Sequence, residues 1–282
     1  MTTPHDTEQI ADSIRIPTLS LSIERIRAGL ASPDVGMSDV TKAFETDPPL
    51  AAKVLRLANS ASYGLRAQTT SLRTAIPVLG LRALSTIVLR AGILTAYKEL
   101  EDCENFSLEE LWKHSILTAQ ISESLARRCR RRGSDLSPQD YYTCGLLHDI
   151  GKIVLYDNLG EQYIEAVARS RSGTAVLVAE ESRLLGMNHA DAGSMAATMW
   201  QLPEPVPAVI RCHHKPNSAG GATEIVMVVA CADEIANTVA EEGAKPANAL
   251  LSRIRTRPLG LTEPELLEAI TDAAQRWVQL EL

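Results

Sequence analysis

Aromatic side chains are scarce in this 282-residue chain: Phe, Trp and Tyr together make up 4% of it. Packing falls instead to Leu, Ala, Ile and Val, within a hydrophobic total of 45%. Such a composition favours helix over strand. No stretch sustains the alternation of period two that marks a half-buried strand. Two runs, IVLY at 153–156 and IVMVVA at 225–230, could be strands by composition, but their flanks are helical. The five cysteines, at 103, 129, 144, 212 and 231, form no CxxC and no framework spacing. An odd count fits reduced, buried thiols in a cytosolic protein rather than a disulfide scaffold. The opening MTTPHDTEQ has no signal-peptide pattern. No apolar run was found at the roughly 18 residues a bilayer span needs. The nearest, 83–97, is broken by Arg90. Basic charge is not in excess either. A net charge of −7 and a pI near 5.5 argue against nucleic acid as the main ligand. One local exception is Arg127, Arg128, Arg130, Arg131 and Arg132, interrupted by Cys129. It reads as a solvated helix end, with a phosphate- or partner-binding patch as the alternative. Internal repeats and low-complexity tracts are absent.

What is present is a succession of helix signals. Residues 19–30 carry apolar positions at helical spacing, closed by Gly29 and a turn, SPDVG. Asp47 followed by Pro48 and Pro49 caps and opens the next apolar helix. TSLRTAIPVLG reads as a helix stopped at Gly80, and the apolar stretch after it as another. Ser107 with Glu110 matches a capping box. Ser137, Pro138 and Asp140 open a helix through YYTCGLLHD, expected to end at Gly151. Further helices are expected at 161–171, 174–186, 189–201, 204–214, 223–242, 246–255 and 263–280. The fold class predicted is all-α, with twelve to fourteen helices. The expected division is a polar leader (1–14), a helical half (15–102), a second half (103–245) and C-terminal helices (246–282).

Chemistry-bearing residues gather in the second half. Glu110 and His114 stand at i and i+4, on one helix face. His148 and Asp149 are adjacent, with Lys152 one turn on. His189 opens a helix, His213 and His214 close another, and Asp233 interrupts an apolar one. Of six histidines only His5 falls outside this set. Imidazole and carboxylate together suit iron, manganese, zinc or nickel. Two cations about 3.5–4 Å apart can activate a water and clamp a phosphoryl group. An adjacent His-Asp pair suits that task, supplying one neutral nitrogen and one bridging anion, with Lys152 as a point charge for phosphate. Each residue also has a plainer reading. Glu110 completes a capping box, His189 sits at a helix start, His213 and His214 sit at a helix C-terminus, and Lys152 satisfies carbonyls. A buried Asp149 or Asp233 has no such escape, since an uncompensated buried carboxylate costs several kcal/mol. LANSASYG (57–64) is polar enough to look catalytic, but capping and turn-shaping explain it. Tyr141 and Tyr142, which might invite a base-stacking role, are expected to pack.

The H…HD…D set of His114, His148, Asp149 and Asp233 resembles the HD superfamily of metal-dependent phosphohydrolases. DPPLAAKVLRLANSASYG (47–64) and TSLRTAIPVLGLRALSTIVL (70–89) resemble the HDOD family, the HD-related output domain of bacterial signalling. The likeness covers roughly residues 15–215. It implies an HD-superfamily-like helical bundle with an N-terminal helical subdomain, a bacterial cytoplasmic origin and a regulatory context. The ligand set is similar to that of the HD-GYP phosphodiesterases, which cleave cyclic di-GMP. In that likeness Glu110, His114, His148, Asp149, His189, His213, His214 and Asp233 match metal ligands, and Lys152 matches the phosphate-contacting lysine of HDIGK. The Gly-Tyr-Pro signature is replaced by KPNSAGGATE, which counts against cyclic di-GMP as substrate.

The expectation is therefore an HDOD-type signalling regulator with a di-metal centre, of iron or manganese, with zinc, nickel or magnesium as further candidates. The alternatives are a phosphohydrolase of phosphodiesters or nucleotides, with Asp149 and Lys152 at its catalytic centre, and a di-iron redox or oxygen sensor. A signalling protein partner and a phosphate-containing small molecule are the expected contacts.

Overall fold

The computed structural model describes residues 13–32, 36–60, 68–129, 136–170, 174–243, 245–256 and 260–280. Among them are fourteen α-helices, two single-turn 3₁₀ segments and no strand; the nearest thing to a sheet is an isolated bridge between Cys103 and Phe106. The two strand-like runs, 153–156 and 225–230, both lie inside helices. Composition was ambiguous there because a helix buried on most sides is as apolar as a central strand.

The chain divides into two compact units, residues 17–99 and residues 1–16 with 100–282. The smaller unit holds α1 (Leu21–Ala31), α2 (Met37–Glu45), α3 (Pro48–Ala58) and α4 (Leu72–Ala96). Asp47 caps α3 by accepting the Leu50 N–H at 3.1 Å, and two prolines open its first turn, where missing amide donors cost nothing. Helices α1 to α3 all pack on α4. Phe44, Val54, Ala58, Ile76, Leu84 and Ile93 are fully buried. At about 1.5–3 kcal/mol for each large apolar side chain, such burial supplies the drive that helix propensity alone lacks.

Helix α4 consists of two pieces. They follow one another, as predicted, across a kink at Gly80, whose φ of 75° and ψ of 162° are not helical and interrupt the path. The two pieces together span 25 residues, with a mean hydropathy of 1.6 over their most apolar 18-residue window, enough by length and composition to cross a membrane. Half of that window is buried inside the protein, which is how the core helix of a folded unit looks. Of LANSASYG, residues 61–64 lie outside the described residues. The Asn59 side chain brackets the backbone of Thr69 with two 2.8 Å bonds, a turn-shaping role.

The larger unit builds from α5 (Leu108–Arg128), α6 (Pro138–Leu147), α7 (Ile150–Leu159), α8 (Glu161–Arg169), α9 (Thr174–Leu185), α10 (His189–Met199), α11 (Val206–Cys212), α12 (Thr223–Glu242), α13 (Ala247–Leu251) and α14 (Glu263–Leu280). Helix α5 packs on α6, α12 and α14, while α10 packs on α7 and α11. Helix α12 is the most buried wall, with Val226, Val228, Val229, Cys231, Ala232, Ile235 and Val239 fully enclosed. At the basic end of α5, Arg127 pairs with Glu123 at 2.6 Å and Arg128 reaches Glu268 of α14 at 3.1 Å. Those two arginines serve the helix and its packing. Arg130, Arg131 and Arg132 lie outside the described residues.

Two glycines let helices touch. A Cβ built on Gly145 would lie 2.9 Å from Ala119 Cα and 3.0 Å from the Thr118 carbonyl, so α6 rides directly on α5. A Cβ on Gly151 would lie 1.8 Å from the His189 carbonyl oxygen and 2.5 Å from the Gly193 amide. Gly151, expected to be a helix stop, is inside α7 instead, and its bareness is what brings α7 onto α10. The break comes earlier, at His148 and Asp149, where α6 ends and α7 begins.

Candidate metal centre

Five segments deliver side chains to one spot in the larger unit. His114 projects from the second turn of α5. His148 closes α6, and Asp149 stands at the N-cap position of α7 without using its carboxylate as a cap. That frees the carboxylate to point inward. His189 is the first residue of α10, held by Asn188, which accepts the Ala190 and Asp191 N–H groups at 2.9 and 3.1 Å. His213 and His214 end α11, and Asp233 comes from the middle of α12.

The donor atoms fall into two groups, each able to hold a metal ion: Asp149 with His189, His213 and His214, and His114 with His148 and Asp233. Asp149 faces both. Its Oδ1 lies 3.3 Å from His189 Nε2 and 3.6 Å from His213 Nε2. Its Oδ2 lies 3.3 Å from His148 Nε2 and 3.6 Å from His114 Nε2. Asp233 Oδ1 is 3.1 Å from His114 Nε2 and 3.5 Å from His148 Nε2. Metal–ligand bonds of about 2.1 Å put neighbouring ligand atoms about 3.0 Å apart in an octahedron and about 3.4 Å apart in a tetrahedron. The observed separations fall around those values.

The rings are oriented from behind. His148 donates its Nδ1–H to the Gly145 carbonyl at 2.8 Å, and His213 donates its own to the Ile210 carbonyl at 2.7 Å. His189 donates Nδ1–H to Glu181 at 2.7 Å, and the same carboxylate oxygen accepts the His189 backbone N–H at 3.0 Å. Since a carbonyl or carboxylate can only accept, each of these rings, when neutral, presents a lone pair at Nε2. Three lone-pair nitrogens then converge on the two oxygens of one anion. His189 Nε2 also meets His214 Nε2 at 2.7 Å, and His114 Nε2 meets His148 Nε2 at 3.3 Å. Such an array repels itself unless protons or cations sit within it. The buried Asp149 Oδ1 and His213 Nε2 find no hydrogen-bond partner among the described residues. The donor set therefore fits divalent cations.

The ionisation pattern has the same origin. Burial works against charge on His148, but the Asp149 and Asp233 carboxylates overcome it and push its pKa up to about 10. For His189 burial is likewise overcome, chiefly by Glu181 and Asp149, to about 8. Burial holds His213 below its ordinary value, and takes His214, beside two other imidazoles, to about 2. Both carboxylates lie well below the usual range: burial opposes this, but His148 and Lys152 hold Asp149 there, and His114 and His148 hold Asp233. Lys152 Nζ donates to Asp149 Oδ2 at 2.5 Å. His148, His189 and His213 are sealed off, whereas His114, Lys152 and His214 are partly exposed and form the rim through which solvent reaches the centre.

Glu110 stands apart. It is exposed and belongs to neither donor group. Ser107 accepts its backbone N–H at 3.4 Å, but the Glu110 carboxylate does not accept the Ser107 backbone N–H in return, so only half of the expected capping box is formed among the described residues. Glu181 is the residue that sequence reasoning passed over. It is fully buried, while the adjacent Glu180 faces solvent and pairs with Arg183. The available signal was its position: Leu177, Glu181 and Leu185 are buried at i, i+4 and i+8, so this carboxylate lies on the apolar stripe of α9.

The HDOD domain family model matches residues 16–216. The chain belongs to the HDOD family. Another HDOD domain protein, of unknown function, from Geobacter sulfurreducens is 27% identical, with a TM-score of 0.74 over 98% of this chain and 94% of that one. A proposed phosphohydrolase from Shewanella amazonensis SB2B shares the all-helical fold, with a TM-score of 0.77 at 22% identity over 99% of this chain and 97% of that one. An uncharacterized protein of Treponema pallidum (strain Nichols) is 29% identical over 206 residues, which are 73% of this HDOD chain but 39% of the relative. The chain thus matches about two-fifths of that protein's length.

Proposed function

We propose that this HDOD protein is a cytoplasmic signal-transduction regulator whose larger unit carries a di-metal centre, and that the centre serves regulation rather than turnover. The observation behind this reading is the gathering of five imidazoles and two carboxylates, Asp149 and Asp233, into two donor groups, with Asp149 in reach of histidines of both. His189, His213 and His214 would hold one ion, His114, His148 and Asp233 the other, and Asp149 would span them. Imidazole and carboxylate in this proportion suit iron or manganese. The regulatory assignment draws on family membership and on the missing Gly-Tyr-Pro run. The smaller unit, in which neither donor group falls, would offer the surface for a signalling partner.

A metal-dependent phosphohydrolase is the second reading, favoured by the placement of Lys152. Divalent ions, when bound, would supply Lewis acidity and an acidified water. Asp149 would hold the two halves in register, Glu181 and the Gly145 and Ile210 carbonyls would keep the rings aimed, and Lys152 at the rim would steady a phosphate oxygen. An anaerobic assay with iron or manganese on bis-p-nitrophenyl phosphate and on nucleotides separates the two. Regulation predicts no turnover above the level of Asp149→Ala; turnover that this substitution abolishes in a folded protein would establish the hydrolase.

A further inference from the structure

The two halves of the centre are not equivalent. In the half built from His189, His213 and His214, two rings are buried and fixed from behind by Glu181 and the Ile210 carbonyl, and His214 is partly exposed. Among the described residues, the ion-pair contacts of Asp149 Oδ1 are with His189 and His213 of this half. The other half differs at one atom. Asp149 Oδ2, which it needs, is already engaged by the Lys152 ammonium at 2.5 Å, closer than either His148 or His114. Lys152 reaches there from the first turn of α7, three residues beyond Asp149, so the contact is set by the helix itself. Its side chain is 17% exposed, so it is not wholly enclosed.

Resting on the di-metal reading, we propose that Lys152 acts as an internal cation that competes with the ion in the His114–His148–Asp233 half. The first ion enters the three-histidine half without displacing the Lys152 ammonium. The second must dislodge a charged amine from Oδ2 and then remain beside it, like charge against like charge in a buried setting. The centre would load in two unequal steps, and occupancy of the second half would be the variable quantity. An anion at the rim that draws Lys152 away from Oδ2 would promote the second step, which gives the site a way to couple metal loading to a phosphate-bearing ligand.

The test is manganese binding to the whole protein, following free Mn²⁺ by its six-line EPR signal, for the native chain, Lys152→Gln and Lys152→Arg. The expected result is one tight ion and a second bound at least tenfold more weakly in the native protein. Lys152→Gln should tighten the second step tenfold or more and leave the first unchanged. Lys152→Arg, which keeps the charge, should behave as the native chain does. An unchanged or weakened second step in Lys152→Gln overturns the proposal, as does a native protein with two equal steps. A native protein that binds no manganese, iron or zinc overturns the di-metal reading as well.

Discussion

Replacing Gly151 by alanine should dismantle the centre from a position that touches none of its donor atoms. The new Cβ would lie 1.8 Å from the His189 carbonyl oxygen, 2.5 Å from the Gly193 amide and 2.8 Å from the His189 carbonyl carbon. All three are backbone, so no side chain can turn aside. Nonbonded contact needs roughly 3.2–3.5 Å, so α7 and α10 must move apart by about 1.5 Å locally. Such overpacking costs about 1–3 kcal/mol, toward the upper end here because backbone has to shift. Asp149 stands just before α7, and His189 opens α10. Their 3.3 Å approach would open by a comparable amount, whereas metal sites tolerate only about ±0.2 Å in bond length. Metal affinity should fall at least a hundredfold, read by equilibrium dialysis with elemental detection, and the urea midpoint should fall in chelator-treated protein. Gly151→Ala with native metal affinity and native stability would refute the argument that bare helix contact positions the site.

Glu181→Gln keeps an acceptor for His189 but places an amide where the buried Oε1 has no partner; metal affinity should drop about tenfold and stability by about 1–3 kcal/mol, measured by dialysis and urea denaturation. Glu234, next to Asp233, accepts the Arg255 and Thr256 N–H groups and the Thr256 hydroxyl at 2.7–2.9 Å. Glu234→Ala should therefore free the chain before α14 and cost about 1–2 kcal/mol in urea, while metal stoichiometry stays the same. Chelator treatment should lower the thermal midpoint, since an ion present at a thousand times its dissociation constant contributes about 4 kcal/mol; calorimetry with and without added manganese checks this.

Much of this was legible in the sequence, and the reasons differ by residue. The all-helical class followed from composition and from caps such as Asp47 and Ser137, which act locally and form as read. Helix ends set by tertiary contact were not legible. Gly80 and Gly151 both look like stops; Gly80 does interrupt the helical path, but Gly151 is a contact surface within α7. The break at His148 and Asp149 was hidden by an unbroken apolar pattern on either side. Of the eight proposed ligands, seven converge, because a histidine or aspartate in an apolar helix has few other reasons to be there. Glu110, exposed and near a helix start, had such a reason. Glu181 went unnoticed because its neighbour Glu180 is the same residue type, and only the helical phase relative to Leu177 and Leu185 tells them apart.

Metal content decides the account most directly. Protein isolated without added metal, analysed for elements beside an Asp149→Ala variant, should carry up to two transition-metal ions per chain in the native form and should load to two on titration. The variant should hold fewer and fail to reach two. A folded native protein that neither carries nor takes up any transition metal would contradict the central claim.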